Sequence, residues 1–376
     1  MYARRRLPRL LIVMVPLLAA ELAACAPSAG PVPAAPATVG ATPAPASTPG
    51  AEPAARTRVR FAVQPVAGYA PVYVAADRGY FAQEGLDFEL TPFTNASEMI
   101  PSLATGQVEA ATAGGNPAAW NALARGVSFK IVLDMITLQP GRGATALVVR
   151  KDLYDAGRGR DLGDLPGLNV AITPPGKATV SACALAAGLQ RAGLTIDDLT
   201  LSSLTFPDMV PALANGSIDG GVLAEPFVTR ARRQGTIVRV MGLDEMYPNF
   251  SLSNVAFSPA YYADRPAAKA FARAFIRAGR EYLAALDGRT GEADRAQIDE
   301  IIARHTGLDA ATVHEMTPSG LNPNGLPNRE SSLYCYEFFR AQGFIPEPVP
   351  DAAMAALWGT DLVEEVLAEI GRVPER

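Results

Sequence analysis

Part of this chain occurs twice, and that repeat constrains its fold more than any other feature. The segment MIPSLATGQVEA, from Met99 to Ala110, returns as MVPALANGSIDG, from Met209 to Gly220, at an offset of 110 residues. A second pair agrees: VRFAVQP from Val59 matches LNVAITP from Leu168 at an offset of 109. Both members of the second pair alternate and then end in a polar residue and a proline, as a strand running into a turn does. Each member of the first pair reads as a helix that stops at Gly106 or Gly216, where a left-handed residue is needed, before a strand beginning at Val108 or Ile218. Two repeats in register imply two similarly built lobes.

Between and around the repeats, short β-branched runs alternate with helical stretches: 59–63 then 69–83, 87–91 then 96–105, 109–113 then 117–125, and 130–135. This alternation predicts βαβ units and parallel sheets, hence an α/β fold of two Rossmann-like lobes. Two segments are candidate crossings between the lobes, TALVVR (Thr145 to Arg150) and Val255 to Phe257. The second lobe, 151–245, is then an insertion in a first lobe made of 58–150 and 246–376. From Pro266 onward the pattern is helical, including Glu330 to Gln342 and Asp351 to Ile370, and reads as a packing buttress.

The first residues have a different character. Arg4, Arg5, Arg6 and Arg9 precede an uncharged apolar run from Leu10 to Ala20, and LAAC ends at Cys25. This is the pattern of a secretory signal, with an apolar stretch too short to span a bilayer. It resembles a bacterial lipoprotein signal, which implies that residues 1–25 include the leader and that Cys25 is lipidated. Residues 26–57 are almost all Ala, Pro, Ser, Thr and Gly, unable to bury a core, and read as a disordered tether. The body would be held outside the cell membrane by a lipid anchor.

Composition excludes several classes. Lys and Arg number 33 against 38 Asp and Glu, a net charge of −5, so the basic footprint of nucleic-acid binding is missing. Two histidines and three scattered cysteines, with no CxxC or HExxH spacing, leave zinc sites and His-dependent triads poorly supplied. No metal, cofactor or catalytic residue is expected. Cys183 lies in an apolar helical stretch and Cys335 between Tyr334 and Tyr336; both are expected as free thiols, because a bridge between lobes would oppose hinge motion.

The stretch PVYVAADRGYFAQEGLDFEL, from Pro71 to Leu90, is similar to the pattern PLYVAxxxGYFxxEGLDVEL of the extracytoplasmic substrate-binding proteins of ABC importers. Their family includes binders of taurine and other sulfonates, nitrate, thiamine-pyrimidine precursors and riboflavin. LATGQVEA (Leu103 to Ala110), DLPGLNVA (Asp164 to Ala171) and AEPF (Ala224 to Phe227) extend the resemblance over residues 58–240. It implies the type II periplasmic-binding-protein fold, hinge closure on a small molecule and a permease partner. The same family contains eukaryotic thiamine-pyrimidine synthases, but their cysteine-rich metal motif is missing here.

Ligands of open α/β sheets gather at the carboxyl ends of strands, so the candidate contacts are the residues that follow each strand. In the first lobe these are Gln64 and Tyr69, Asn95, Gly114, Gly115 and Asn116, and Thr137. In the second they are Thr173, Lys177 and Thr179 in TPPGKAT, then Glu225 and Phe227. Trp120 lies one turn beyond Asn116 and is a candidate stacking platform as well as a core residue. Asn116 suits a helix cap as well as a ligand contact, and Glu225 could cap the helix after Pro226. Lys177 and Arg142 are the candidate cations. Asn, Thr, Gln and Tyr predominate over basic residues at these strand ends, which favours a neutral, planar, hydrogen-bonding heterocycle such as riboflavin or a thiamine pyrimidine over sulfonate or nitrate.

Overall fold

The computed structural model describes residues 56–93 and 98–375, and Pro53–Arg376 forms one compact unit. The leader, the tether up to residue 55, Cys25 and Asn95 lie outside the described residues; Thr57, expected in the tether, instead opens the first strand. The strands, in chain order, are β1 (Thr57–Val63), β2 (Leu86–Pro92), β3 (Ala110–Ala113), β4 (Lys130–Leu138), β5 (Thr145–Arg150), β6 (Asn169–Ile172), β7 (Thr200–Ser203), β8 (Gly220–Ala224), β9 (Ile237–Gly242) and β10 (Phe250–Phe257).

They form two five-stranded sheets of identical design, β2-β1-β3-β10-β4 and β7-β6-β8-β5-β9. In the first, β1 runs parallel to β2 and β3, and β10 runs antiparallel to β3 and β4. In the second, β6 is parallel to β7 and β8, and β5 is antiparallel to β8 and β9. The sequence repeats occupy equivalent places: β1 answers β6, and the helices Met99–Ala104 and Phe206–Asn215 answer each other. Both helices give way to the glycine the repeat singled out, at φ 72° for Gly106 and 79° for Gly216, a conformation that costs residues with a Cβ ~1 kcal/mol or more.

The topology moves the lobe boundary. Thr145–Arg150, expected as a crossing, is an interior strand of the second sheet, paired on both sides. The chain crosses between the sheets at 139–144 and again after β9, so the second lobe begins near residue 144 rather than 151. A six-residue apolar run cannot be told from a linker by its pattern; only the partners on either side make it a strand.

The helix Arg265–Leu286 packs on the first sheet. Asp264 caps it, accepting the Ala267 N–H at 3.3 Å, and a proline occupies its first turn. Ala268, Phe271, Ala272, Phe275 and Gly279 recur at helical spacing and are buried. Phe271 stacks on Phe61 at 5.8 Å between ring centroids and also meets Phe81 and Phe257. Truncating it to Ala would cost roughly 3–5 kcal/mol through lost transfer energy and the cavity left behind.

The helix Arg329–Ala341 is different, because its buried face joins a core drawn from both lobes. Tyr336 meets Trp120 of the first lobe at 5.0 Å, and the Tyr334 hydroxyl donates to Gln190 of the second at 3.1 Å. Cys335, between them, forms a disulfide with Cys183. The expected free thiols are therefore bonded. The expectation assigned this helix to the first lobe alone; it is instead a spine against which both lobes pack, with Cys183 and Cys335 inside the shared core.

Candidate functional site

Facing strand ends of the two sheets enclose a cavity of about 610 Å³, within the ordinary range for small-molecule sites. Gln64 follows β1, Gly114 and Asn116 follow β3, Thr173 to Pro175 follow β6, Thr205 to Pro207 follow β7 and Glu225 follows β8. The antiparallel strands contribute Ile136, Leu138, Thr145, Leu252 and Ser253 at the same edge. Gly114 brings the first lobe close to the second: a Cβ there would stand 3.4 Å from Val180 Cγ2 and 3.6 Å from the Leu252 carbonyl.

Several candidates meet on this cavity as the strand-end rule predicts: Gln64, Tyr69, Gly114, Asn116, Thr173, Thr179 and Glu225. Asn116 caps the helix Pro117–Ala124, its Oδ1 accepting the Ala119 N–H at 3.0 Å. That bond fixes the amide, and Nδ2 has no hydrogen-bond partner among the described residues. Thr179 caps the helix Val180–Arg191, accepting the Ala182 N–H at 3.2 Å and donating to the Gly176 carbonyl at 3.0 Å. Burial pushes the Tyr69 phenol up, offset in part by the Thr112 and Ser253 hydroxyls beside it.

Other candidates lie off the cavity wall. Trp120 is 1% exposed, its Nε1 donates to the Gly115 carbonyl at 2.8 Å and its ring packs on Tyr336, so it is a core residue. Gly115 is occupied by that contact. Thr137 is buried within β4, where its N–H bonds the Gly320 carbonyl at 2.9 Å. Lys177 turns outward to Asp197, and Arg142 pairs with Asp287 and Gln139. Phe227 lies behind Phe206, the ring that lines the cavity, at 5.8 Å.

The sequence reading missed two groups of residues. Thr205, Phe206 and Pro207 follow β7, and the repeat offset of 110 maps Asn95 onto Thr205, a signal that could have found them. The C-terminal helices, expected as a buttress, form a whole wall. Tyr282 and Leu286 come from the helix Arg265–Leu286; Arg295, Asp299 and Ile302 from Glu292–Thr306; Val313 from Ala310–Glu315; and Met316 to Ser319 from the segment after it. Nothing in a helical apolar pattern says which of its residues border a void.

The lining carries little net charge. Among the described residues its ionisable side chains are Glu225, Arg295 and Asp299, besides two tyrosines. Burial raises the Glu225 carboxyl above its ordinary range although it accepts from Thr229 N–H, Thr229 Oγ1 and Thr317 N–H. Arg295 Nε donates to Asp299 Oδ1 at 2.8 Å, so the wall's cation is already paired. His314 Nδ1 lies 2.8 Å from the other oxygen of Asp299. His305 stacks on Tyr73 and bonds Asp77, away from the cavity.

Residues 67–286, more than half of the chain, match the family described as NMT1/THI5 like. The chain belongs to that family. Among curated proteins, the riboflavin-binding protein RibY of Chloroflexus aurantiacus is 27% identical over 303 residues, covering 76% of this chain and 80% of that protein. Among solved structures, the periplasmic aliphatic sulphonate binding protein SsuA of Escherichia coli aligns with a TM-score of 0.64 at 19% identity, covering 81% of this chain and 92% of that one. The desulfurization enzyme DSZB aligns with a TM-score of 0.60 at 16% identity, covering 84% and 100%. The two-lobed architecture of this NMT1/THI5-like chain is thus the type II periplasmic-binding-protein fold, and the fold by itself serves both binding proteins and an enzyme.

Proposed function

We propose that the chain is the extracytoplasmic solute-binding component of an ABC-type importer, closing on one neutral, planar, hydrogen-bonding molecule and delivering it to a permease. The observation that carries the ligand class is the cavity's charge: the one lining arginine among the described residues is paired with Asp299, while buried Glu225 adds no attraction for an anion. Uncompensated positive charge favours a sulfonate or nitrate, and this lining offers none among the described residues. Riboflavin leads the candidates, supported by the likeness to RibY; a thiamine pyrimidine has the same chemistry. The anion-binding reading draws on likeness of fold, to sulfonate- and nitrate-binding proteins such as SsuA. Chemistry on the ligand is disfavoured because no cysteine or histidine borders the cavity among the described residues: Cys183 and Cys335 are bonded to each other, His305 is turned away, and His314 reaches only the far oxygen of Asp299.

Lipidation at Cys25 completes the reading, by the LAAC pattern; among the described residues no helix is long and apolar enough to cross a membrane. Cell fractionation of Cys25→Ser tests the anchor, with release of the protein from the membrane fraction expected and unchanged retention counting against it. The ligand reading is tested by titrating the purified protein with riboflavin, a thiamine pyrimidine, taurine and nitrate. Quenching of riboflavin fluorescence at stoichiometric protein supports it. Tight taurine or nitrate binding with no response to either heterocycle returns the protein to the anion binders.

A further inference from the structure

The wall built by the C-terminal helices has a chemistry distinct from that of the strand ends. Leu286, Ile302, Val313 and Met316 make an aliphatic surface, and beside it stands the guanidinium of Arg295, the wall's basic group among the described residues. Arg295 and Asp299 are one helical turn apart on Glu292–Thr306, with Asp299 buried at 3% exposure. Asp299 Oδ1 accepts the Arg295 Nε–H, and Asp299 Oδ2 meets His314 Nδ1, both at 2.8 Å. The carboxylate is thereby held from two sides and holds the guanidinium in one orientation. The two Nη groups of Arg295 have no protein partner among the described residues. A largely buried planar fork with its terminal donors unspent is suited to two coplanar acceptors, and pairing with Asp299 removes the net charge that would favour an anion over a neutral carbonyl.

We infer that this wall takes the ring of the ligand, with Arg295 reading a carbonyl-bearing edge of a flat heterocycle that lies against the aliphatic side chains. Arg295 is a specificity-determining residue and Asp299 positions it. The hydroxylated part of such a ligand then faces the strand ends, where Asn116 Nδ2 and the edge formed by Thr173 and Thr205 supply polar groups. The inference rests on the heterocycle reading of the preceding section and adds which end of the ligand goes where.

Two probes separate the ends: riboflavin, and lumichrome, which keeps the ring system and lacks the sugar-alcohol chain. Each is titrated against the full chain carrying Arg295→Leu or Arg295→Lys, with thermal melts as the folding control. Loss of a charge-assisted donor pair should weaken both probes roughly tenfold or more in both variants. Lysine keeps the charge but not the fork, so it should fail to rescue. Unchanged affinity in Arg295→Leu, full rescue by lysine, or loss confined to riboflavin while lumichrome binds as before would each overturn the inference and leave the heterocycle reading standing. Failure of the wild-type protein to bind riboflavin, lumichrome and a thiamine pyrimidine alike would overturn both.

Discussion

Glu225 Oε1 accepts the backbone N–H of Thr317 at 3.1 Å, joining the loop after β8 to the segment after the helix Ala310–Glu315 across the rim of the cavity. Close by, Arg233 of the second lobe donates to Glu315 at 3.0 Å and to Thr312 at 2.7 Å. Both contacts bind the second lobe to the C-terminal wall of the first and so form a latch between the lobes on this side. Because the same carboxylate also receives both donors of Thr229, the latch and the start of the helix Phe227–Arg233 share one group.

Replacing Glu225 with Gln puts an amide donor where the carboxylate accepts from three donors, and should loosen the latch. A hydrogen bond to a charged group contributes about 1.5–3 kcal/mol, so ligand dissociation should speed up roughly tenfold or more. Stopped-flow displacement measures the rate, and small-angle scattering should show a larger radius for the unliganded variant. Burial raises the Glu225 carboxyl, so acidification should protonate it sooner than an ordinary glutamate and weaken the latch in the same direction; Glu225→Gln should lack this response.

Asp134 is fully buried in β4, opposite Asn254 of β10, with Oδ2 accepting the Asn322 N–H at 2.6 Å, the Thr137 and Ser251 hydroxyls nearby, and Oδ1 without a well-formed hydrogen bond among the described residues. Burial pushes its carboxyl up to about 7. A folded-state value above the unfolded one means the native state holds the proton more tightly, so this group's contribution to stability falls as pH rises from about 4 to about 7. Asp134→Asn removes that dependence. Denaturant unfolding at pH 5 and pH 8 should show the variant gaining on the wild type by about 2–3 kcal/mol between the two; a gap independent of pH would show that Asp134 does not titrate in this range.

The Cys183–Cys335 bond joins residues 152 apart in sequence. Closing a loop of that length restricts the unfolded chain, and its removal should cost on the order of 2–5 kcal/mol. Reduction, or the double substitution Cys183→Ser with Cys335→Ser, should lower the melting temperature while leaving the ligand affinity within about threefold of the parent, since neither cysteine borders the cavity. A large loss of affinity in a variant that is still folded would place the spine in the binding mechanism.

Trp120 and Asn116 lie four residues apart and should behave differently. Trp120→Ala empties a core site and should destabilise folding by about 3–5 kcal/mol, with binding impaired only through unfolding. Asn116→Ala loses a helix cap of about 1 kcal/mol and a donor on the cavity wall, and should weaken binding beyond its effect on the melting temperature. Melts and titrations on both variants separate the two roles.

The duplication at an offset of 110 residues already contains the two-lobed α/β plan, because strand alternation, glycine stops and parallel crossovers are local rules that any copy of the segment obeys. The strand-end rule placed Gln64, Gly114, Asn116, Thr173 and Glu225 on one cavity for the same reason: the carboxyl edge of a parallel sheet is fixed by chain direction. What depends on long-range packing was out of reach. Whether Thr145–Arg150 is a linker or an interior strand, whether Cys183 meets Cys335, and whether Trp120 faces a ligand or Tyr336 are each decided by a partner more than sixty residues away in the chain. The C-terminal wall is the clearest case. A helix packs with the same apolar periodicity whether the space beside it is filled or empty, so Arg295, Asp299 and Ile302 became site residues only when the tertiary structure left a cavity in front of them.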